Sequence, residues 1–321
     1  MIRKRLAGIC AAMVPTIVLT SAVHDARAAV PSPELLTSAL AGGSGSTVGP
    51  DGALYVTEGA TGTVLRVDPN SGAVSTFASG LPPSIIGLGG AIDIAFRDTT
   101  AYVLVTLVGS DVGGSSVVGI YRVDGPSEFT VIADLGLYSI QNPPQTPFDV
   151  PSGLQFAIEP YRNGFLVTDG HHNRVLQVTL DGAISEFATF GNIVPTGLAR
   201  MGNNVFMSEA GPVPHLPQDG KVVLLHADAP ASPIASGASL LVDVEFGTGG
   251  TLYALSQGQY GGGPPGSPAL PDTGSLVKVN WDGTLTEIVG SLNRPTSLEF
   301  IGNRAYIVTL GGEIWTIDLR H

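Results

Sequence analysis

Leu54–Gly59 reads LYVTEG, and the chain repeats this phrase with small changes five more times. The echoes are Ala101–Leu107 (AYVLVTL), Phe165–Gly170 (FLVTDG), Val205–Gly211 (VFMSEAG), Leu252–Gly258 (LYALSQG) and Ala305–Gly311 (AYIVTLG). Each is an apolar run ending in Thr or Ser, and in four of the six an acid or amide follows. The spacing of about 40 to 65 residues is the period of a four-stranded propeller blade.

The third unit shows the grammar of a whole blade. Pro151–Pro160 (PSGLQFAIEP) leads into Phe165–Thr168, then Asn173–Leu180 (NRVLQVTL), an Asp181-Gly182 turn and Ile184–Phe190 (ISEFATF). Four short β-rich runs broken by Gly, Pro, Asn and Asp predict an antiparallel meander. Asp-Gly suits a tight hairpin, where central residues take positive φ. Runs such as Lys221–His226 (KVVLLH) and Leu240–Phe246 (LLVDVEF) are apolar on both faces. That is expected of a sheet sandwiched between two neighbours.

The sixth unit supplies only three strands, Ser297–Phe300, Ala305–Val308 and Glu313–Leu319, before the chain stops. A β-capable run, Leu35–Leu40, stands unassigned before the first unit. Pairing it with the last blade closes the ring and removes the open edges. The expected fold is therefore all-β, a six-bladed β-propeller of four-stranded blades whose last blade is closed by an N-terminal strand.

The first residues read as a secretory signal. Arg3-Lys4-Arg5 form the charged region, Leu6–Val23 the apolar stretch and Ala26-Arg27-Ala28 the small-x-small cleavage site. The expected organisation is residues 1–28 as signal peptide and 29–321 as a single propeller domain, periplasmic or extracellular. Cys10, the only cysteine, lies inside the apolar stretch, so the mature chain has no disulfide or thiol chemistry. Cleavage removes four basic residues and one acid, leaving eleven and 26 and a net charge of −15. With two mature lysines, Lys221 and Lys278, such a chain does not read as a nucleic-acid or anionic-membrane binder.

Loop lengths are asymmetric. Short turns at Gly49–Gly52, Asp181-Gly182, Gly202–Asn204, Asp282-Gly283 and Gly302-Asn303 fall on one face. The long connections Leu81–Ala91, Gly109–Ser116, Ile140–Val150, Gly211–Gly220 and Gln257–Gly274 fall on the other. They carry apolar residues, among them Ile85, Ile86, Tyr138, Phe148, Val213, Leu216 and Tyr260. Long loops on a rigid scaffold are where binding sites concentrate.

Glu58, Asp169 and Glu209 occupy equivalent places after the second strand of blades one, three and four, and Gln257 takes that place in blade five. Ring symmetry predicts that they gather near the channel mouth. His171 and His172 follow Asp169, and His215 lies in the blade-four loop. Carboxylates with imidazoles bind divalent cations or act as general acid and base. The ligand-binding candidates are thus Glu58, Asp169, His171, His172, Glu209, His215, Gln257 and Tyr260. Glu58, Asp169 and Glu209 are the candidate ligands for Ca²⁺ or Zn²⁺. The alternative is that each carboxylate caps the N–H groups of its own turn.

No phosphate loop, no H-E-x-x-H and no G-x-S-x-G elbow occurs. Asp68–Gly72 (DPNSG) reads as a strand-connecting turn rather than a calcium loop.

Pro151–Leu154, Phe165–Gly170, Asn173–Val178, Val194–Leu198 (VPTGL), Ile140–Pro144 (IQNPP) and the Pro-rich loop after Glu209 together resemble the secreted ScyD/ScyE family. Those propellers are named for the gene cluster that makes the pigment scytonemin, and are similar to NHL-repeat and gluconolactonase-like propellers. The resemblance implies a periplasmic or extracellular propeller with a poorly defined role in pigment assembly. Gluconolactonases hold a metal with a Glu on the first strand of the first blade. Here that strand passes through Ser44–Val48 (SGSTV) and has none, so the ligand set does not transfer. The expected function is a monomeric binding or accessory propeller, taking a small amphipathic molecule or a secreted protein partner on its long-loop face. The alternative is a metal-dependent hydrolase, lyase or oxidative enzyme, lactonase-like, built on the acid and histidine residues.

Overall fold

The computed structural model describes residues 31–227 and 229–320. The leader, its cleavage site and Cys10 lie outside the described residues. Six antiparallel four-stranded sheets follow one another along the chain. After β1 (Glu34–Thr37), blade one comprises β2 (Ser46–Val48), β3 (Leu54–Glu58), β4 (Thr63–Val67) and β5 (Val74–Ser79). Blade two has β6 (Gly90–Arg97), β7 (Thr100–Thr106), β8 (Gly119–Gly125) and β9 (Glu128–Asp134). Blade three has β10 (Gln155–Tyr161), β11 (Gly164–Asp169), β12 (Arg174–Thr179) and β13 (Ile184–Thr189). Blade four has β14 (Pro195–Met201), β15 (Asn204–Glu209), β16 (Lys221–His226) and β17 (Ala229–Ser236). Blade five has β18 (Leu241–Phe246), β19 (Leu252–Ser256), β20 (Gly274–Val279) and β21 (Leu285–Leu292). Blade six has β22 (Pro295–Ile301), β23 (Arg304–Thr309) and β24 (Ile314–Asp318).

Every echo is the second strand of its blade. The ring closes as expected: β1 pairs antiparallel with β24, Glu34 opposite Thr316 and Leu35 opposite Trp315. The closing strand is shorter than Leu35–Leu40 and starts one residue earlier. The first strands of the blades contact one another in ring order and line the central channel.

The core is divided into wedges, one between each pair of neighbouring blades. Strand alternation sends successive side chains to opposite wedges. Phe165 and Val167 pack with Tyr102, Leu104 and Ile120 of blade two, whereas Leu166 packs with Val205, Met207 and Val223 of blade four. Fully burying such a side chain stabilises by about 1.5–3 kcal/mol.

Polar staples cross the wedges near the axis. Thr168 Oγ1 donates to the Thr196 carbonyl at 2.6 Å, and Thr196 Oγ1 donates to that of Leu241 at 2.8 Å. Asp93 Oδ2 accepts the Ile158 N–H at 2.8 Å, and Asp243 Oδ2 accepts that of Leu298 at 2.7 Å.

The long connections β5–β6, β7–β8, β9–β10, β15–β16 and β19–β20 all leave from one face of the ring. The β9–β10 connection opens with a short helix, α1 (Leu135–Gln141), which overlaps the expected Ile140–Val150 loop only at its last two residues. Its N-cap is Asp134, whose side chain accepts the Leu137 N–H at 2.8 Å. Among the described residues no helix is long and apolar enough to cross a membrane.

Candidate functional site

The candidate residues separate into four places. Glu58, Asp169 and Glu209 end β3, β11 and β15, and each has the same strand parity as the core residues two and four positions before it. Each therefore dips sideways into the wedge between its own blade and the preceding one. This corrects the expectation of a shared cluster at the channel mouth. Among the described residues no three His, Cys, Asp or Glu side chains come together in a way that would hold a metal ion.

Glu58 ties the ring closure. Its carboxylate accepts the Ala41 N–H at 2.6 Å and the Thr61 hydroxyl at 2.9 Å. The carboxylate thus caps an N–H of the ring-closing segment rather than those of its own turn.

Asp169 is buried in a charged network that the sequence reading missed. Its Oδ1 accepts the N–H groups of Leu154 and His172, and its Oδ2 lies 3.4 Å from Arg174 Nε and 3.2 Å from His172 Nδ1. Gly153 stands where a β-carbon would lie 2.5 Å from that Oδ2, so the close approach requires glycine. Burial opposes ionisation of Asp169, but His172 and Arg174 outweigh it and hold the carboxyl below its ordinary range. Arg174, fully buried, also donates to Glu186, to the Asn142 carbonyl at 2.8 Å and to Ser139 Oγ at 2.9 Å.

The two histidines belong to the same network and serve as clasps. His171 Nε2 accepts the backbone N–H groups of Asp149 at 2.8 Å and Val150 at 3.0 Å. His172 Nε2 lies 3.0 Å from the Val150 carbonyl, where it must carry the proton. Four consecutive residues, His171 to Arg174, thus hold the segment from α1 to Val150 against the blade; Asn173 reaches Thr146. That segment displays Phe148, whose ring stands 5.2 Å from His172.

The third group joins blades four and five. Gln257 Oε1 accepts the Ala269 N–H at 3.0 Å, and Arg294 Nε donates to the Ala269 carbonyl at 2.6 Å. Ala269 is fully buried, so both side chains pin the base of the 257–273 loop. His215 Nδ1 donates to the Gly211 carbonyl at 2.7 Å, and its ring meets Tyr260 edge-on at 5.5 Å. The Tyr260 hydroxyl donates to the Gly263 carbonyl.

Glu209 stands apart. It lies opposite Lys221 in register, and burial pushes its carboxyl up to about 7 against the pull of Lys221.

A set of acids absent from the sequence reading lines the channel: Asp93, Glu159, Asp243, Glu245 and Glu299, on β6, β10, β18 and β22. Glu159, Glu245 and Glu299 occupy one register position, opposite Leu166, Tyr253 and Tyr306. Burial raises all five, to about 7 for Glu159 and Asp243 and about 8 for Glu245. Mutual repulsion adds to it, Asp93 feeling Asp243 from the opposite blade. The signal was present in sequence: Ile158-Glu159-Pro160, Val244-Glu245-Phe246 and Leu298-Glu299-Phe300 each precede an echo.

The molecule is a six-bladed propeller with a loop-rich, apolar-rimmed face. It is similar in structure to a gluconolactonase from Xanthomonas campestris, with a TM-score of 0.64, 14% identity and 94% of each chain covered. Virginiamycin B lyase from Staphylococcus aureus gives a TM-score of 0.56 at 12% identity, covering 90% of this chain and 99% of its own. The PQQ-bound aldose sugar dehydrogenase from Streptomyces coelicolor gives 0.57 at 15% identity, covering 90% and 98%. These neighbours establish a gluconolactonase-like propeller fold. No protein-family model and no curated protein matches the chain.

Proposed function

We propose that the protein is a secreted or periplasmic binding or accessory propeller that takes a small amphipathic molecule or a protein partner on its long-loop face. One observation carries the reading: Ile85, Ile86, Phe148, Val213, Leu216 and Leu270, all on that face, are exposed large hydrophobic residues. Exposed apolar groups concentrated on one rim mark an interaction surface. The polar candidates around them, His171, His172, Arg174, His215, Gln257 and Arg294, spend their hydrogen bonds on holding the loops in place. They build a platform. The likeness to ScyD/ScyE proteins at Ile140–Pro144 and Val194–Leu198 agrees with this role.

An environment-sensitive naphthalene sulfonate dye tests the surface. The wild type should bind it with enhanced fluorescence, and Ile86→Asp with Val213→Asp should abolish the enhancement while the melting temperature holds. Equal binding by the double variant would refute the reading.

The second reading, a metal-dependent hydrolase, lyase or oxidative enzyme, is supported by the enzymes among the structural neighbours. It requires Ca²⁺ or Zn²⁺ to raise the melting temperature of the wild type, because a ligand of the folded state alone stabilises it. No shift with either ion would refute this second reading.

A further inference from the structure

Three blades end their second strand in an acid, which makes each an internal control for the others. Glu58 is satisfied by Ala41 and Thr61, and Asp169 by Leu154, His172 and Arg174. Glu209 is only 5% exposed, yet among the described residues no donor lies within hydrogen-bond distance of its carboxylate. Lys221, directly opposite in register, forms no ion pair with it. Its oxygens are not sealed off from solvent, so a donor on a ligand can reach them and take the place of water.

In place of a partner, Glu209 has space. A groove of about 690 Å³ opens between β13 of blade three and β15–β17 of blade four. Phe187, Phe190 and Ile193 form one wall, and Lys221, Val223 and Pro233 the other, with Glu209 also lining it. Such a groove is the size of a small-molecule site.

We propose that this groove binds a small ligand carrying an ammonium group on an apolar body, with Glu209 receiving the ammonium. The apolar body lies against Phe187, Phe190 and Ile193, which line the groove. The Glu209 carboxyl, raised to about 7, ionises fully once a cation is beside it. Lys221 at the other side of the groove suits an anionic substituent on the same ligand. None of the groove's lining residues is among the exposed apolar residues of the platform, so the proposal stands or falls independently of the platform reading.

The test uses phenethylammonium and its uncharged counterpart 2-phenylethanol, titrated into the mature protein by calorimetry. The ammonium probe should bind at least about tenfold more tightly than the alcohol. Its affinity should rise between about pH 6 and 8 as Glu209 ionises; Glu186 and His226 also line the groove, so the rise should persist in His226→Asn and be lost in Glu209→Gln. Glu209→Gln should erase the difference between the probes, and Phe190→Ala should weaken both. Pro233→Trp, an exposed wall position, should block both and covers the case in which Glu209→Gln does not fold. Equal affinity for the two probes in the wild type, retained ammonium preference in Glu209→Gln, or no saturable binding would overturn the proposal. Ile86→Asp should leave the titration unchanged, which separates this site from the loop face.

Discussion

Leu88 and Gly266 meet across the ring although their blades stand on opposite sides of it. Leu88 precedes β6 of blade two, and Gly266 is at the tip of the blade-five loop; a β-carbon at 266 would lie 3.3 Å from Leu88 Cδ2. A loop of this length reaches roughly 30 Å out and back, enough to cross the mouth of the channel. With Ala269 pinned at its base and Gly261-Gly262-Gly263-Pro264-Pro265-Gly266 at its tip, it is a strap over the acid-lined channel.

The strap should govern access from that face. Thr47 shares the register position of Glu159, Glu245 and Glu299, opposite Tyr55, and the single cysteine of the sequence, Cys10, is removed by Cys10→Ser in every variant. Thr47→Cys should therefore react slowly with a bulky maleimide, and faster when Leu88→Ala or removal of residues 261–266 loosens the strap. Equal labelling rates in folded variants would show that the strap does not gate the channel.

Removing Pro31–Ala41 takes away β1 and the Ala41 N–H that satisfies Glu58. The last blade is left with an open strand edge. The expected outcome is a large drop in melting temperature with aggregation, seen by scanning calorimetry and light scattering. Unchanged melting would refute closure through β1.

Arg174 and Asp169 show how far the sequence could be read. The echo revealed the fold because the second strand is buried on both faces in every blade, which forces the same apolar phrase six times. It also pointed to Glu58, Asp169 and Glu209, but not to their direction. Alternation puts Glu58 on the face of Leu54 and Val56, toward the preceding blade, and this parity was legible. The partners were not. Arg174 meets Ser139 of α1, a helix too short to show periodicity, and Asn142 at its C-cap, across more than thirty residues of chain. The channel acids lie on first strands, outside the echo.

Arg174→Leu should destabilise the fold by about 3–5 kcal/mol, because it removes the buried cation beside Asp169 and leaves that carboxylate only His172 and two backbone N–H groups. Urea unfolding at neutral pH measures it. Asp169 has a lowered folded-state pKa, so its contribution is present above its unfolded pKa and is lost as pH falls through the folded one. Asp169→Asn should flatten the acid limb of the stability curve; an unchanged limb would contradict the pairing.

His171 accepts two backbone N–H groups at one nitrogen and can do so only when that nitrogen is unprotonated. Burial, and then His172, lower its pKa, so its contribution is complete above about pH 6.5 and is lost as pH falls toward the folded value. Hydrogen exchange at Asp149 and Val150 should lose protection across that range, beyond the intrinsic rate change. His171→Ala should lack the protection at every pH. Protection that persists at low pH would show that another group holds the loop.

The channel acids run in the opposite direction. Burial raises the folded-state values of Glu159 and Asp243 to about 7 and of Glu245 to about 8, and raises Glu299 in the same direction, so above their ordinary carboxylate range the folded ring holds protons that the unfolded chain has released. Their share of stability is present at low pH and falls as pH rises through that window. Removing one such charge without changing shape should therefore help most where the acids are forced to ionise. Glu299→Gln, with no hydrogen bond of its own to lose, should raise the melting midpoint at pH 8 by about 2–6 °C. At pH 5, near the ordinary carboxylate range where folded and unfolded chains differ least in bound protons, the gain should be much smaller. A gain of the same size at both pH values would mean that the substitution acts through packing rather than charge, and the repulsion assigned to the channel would be wrong.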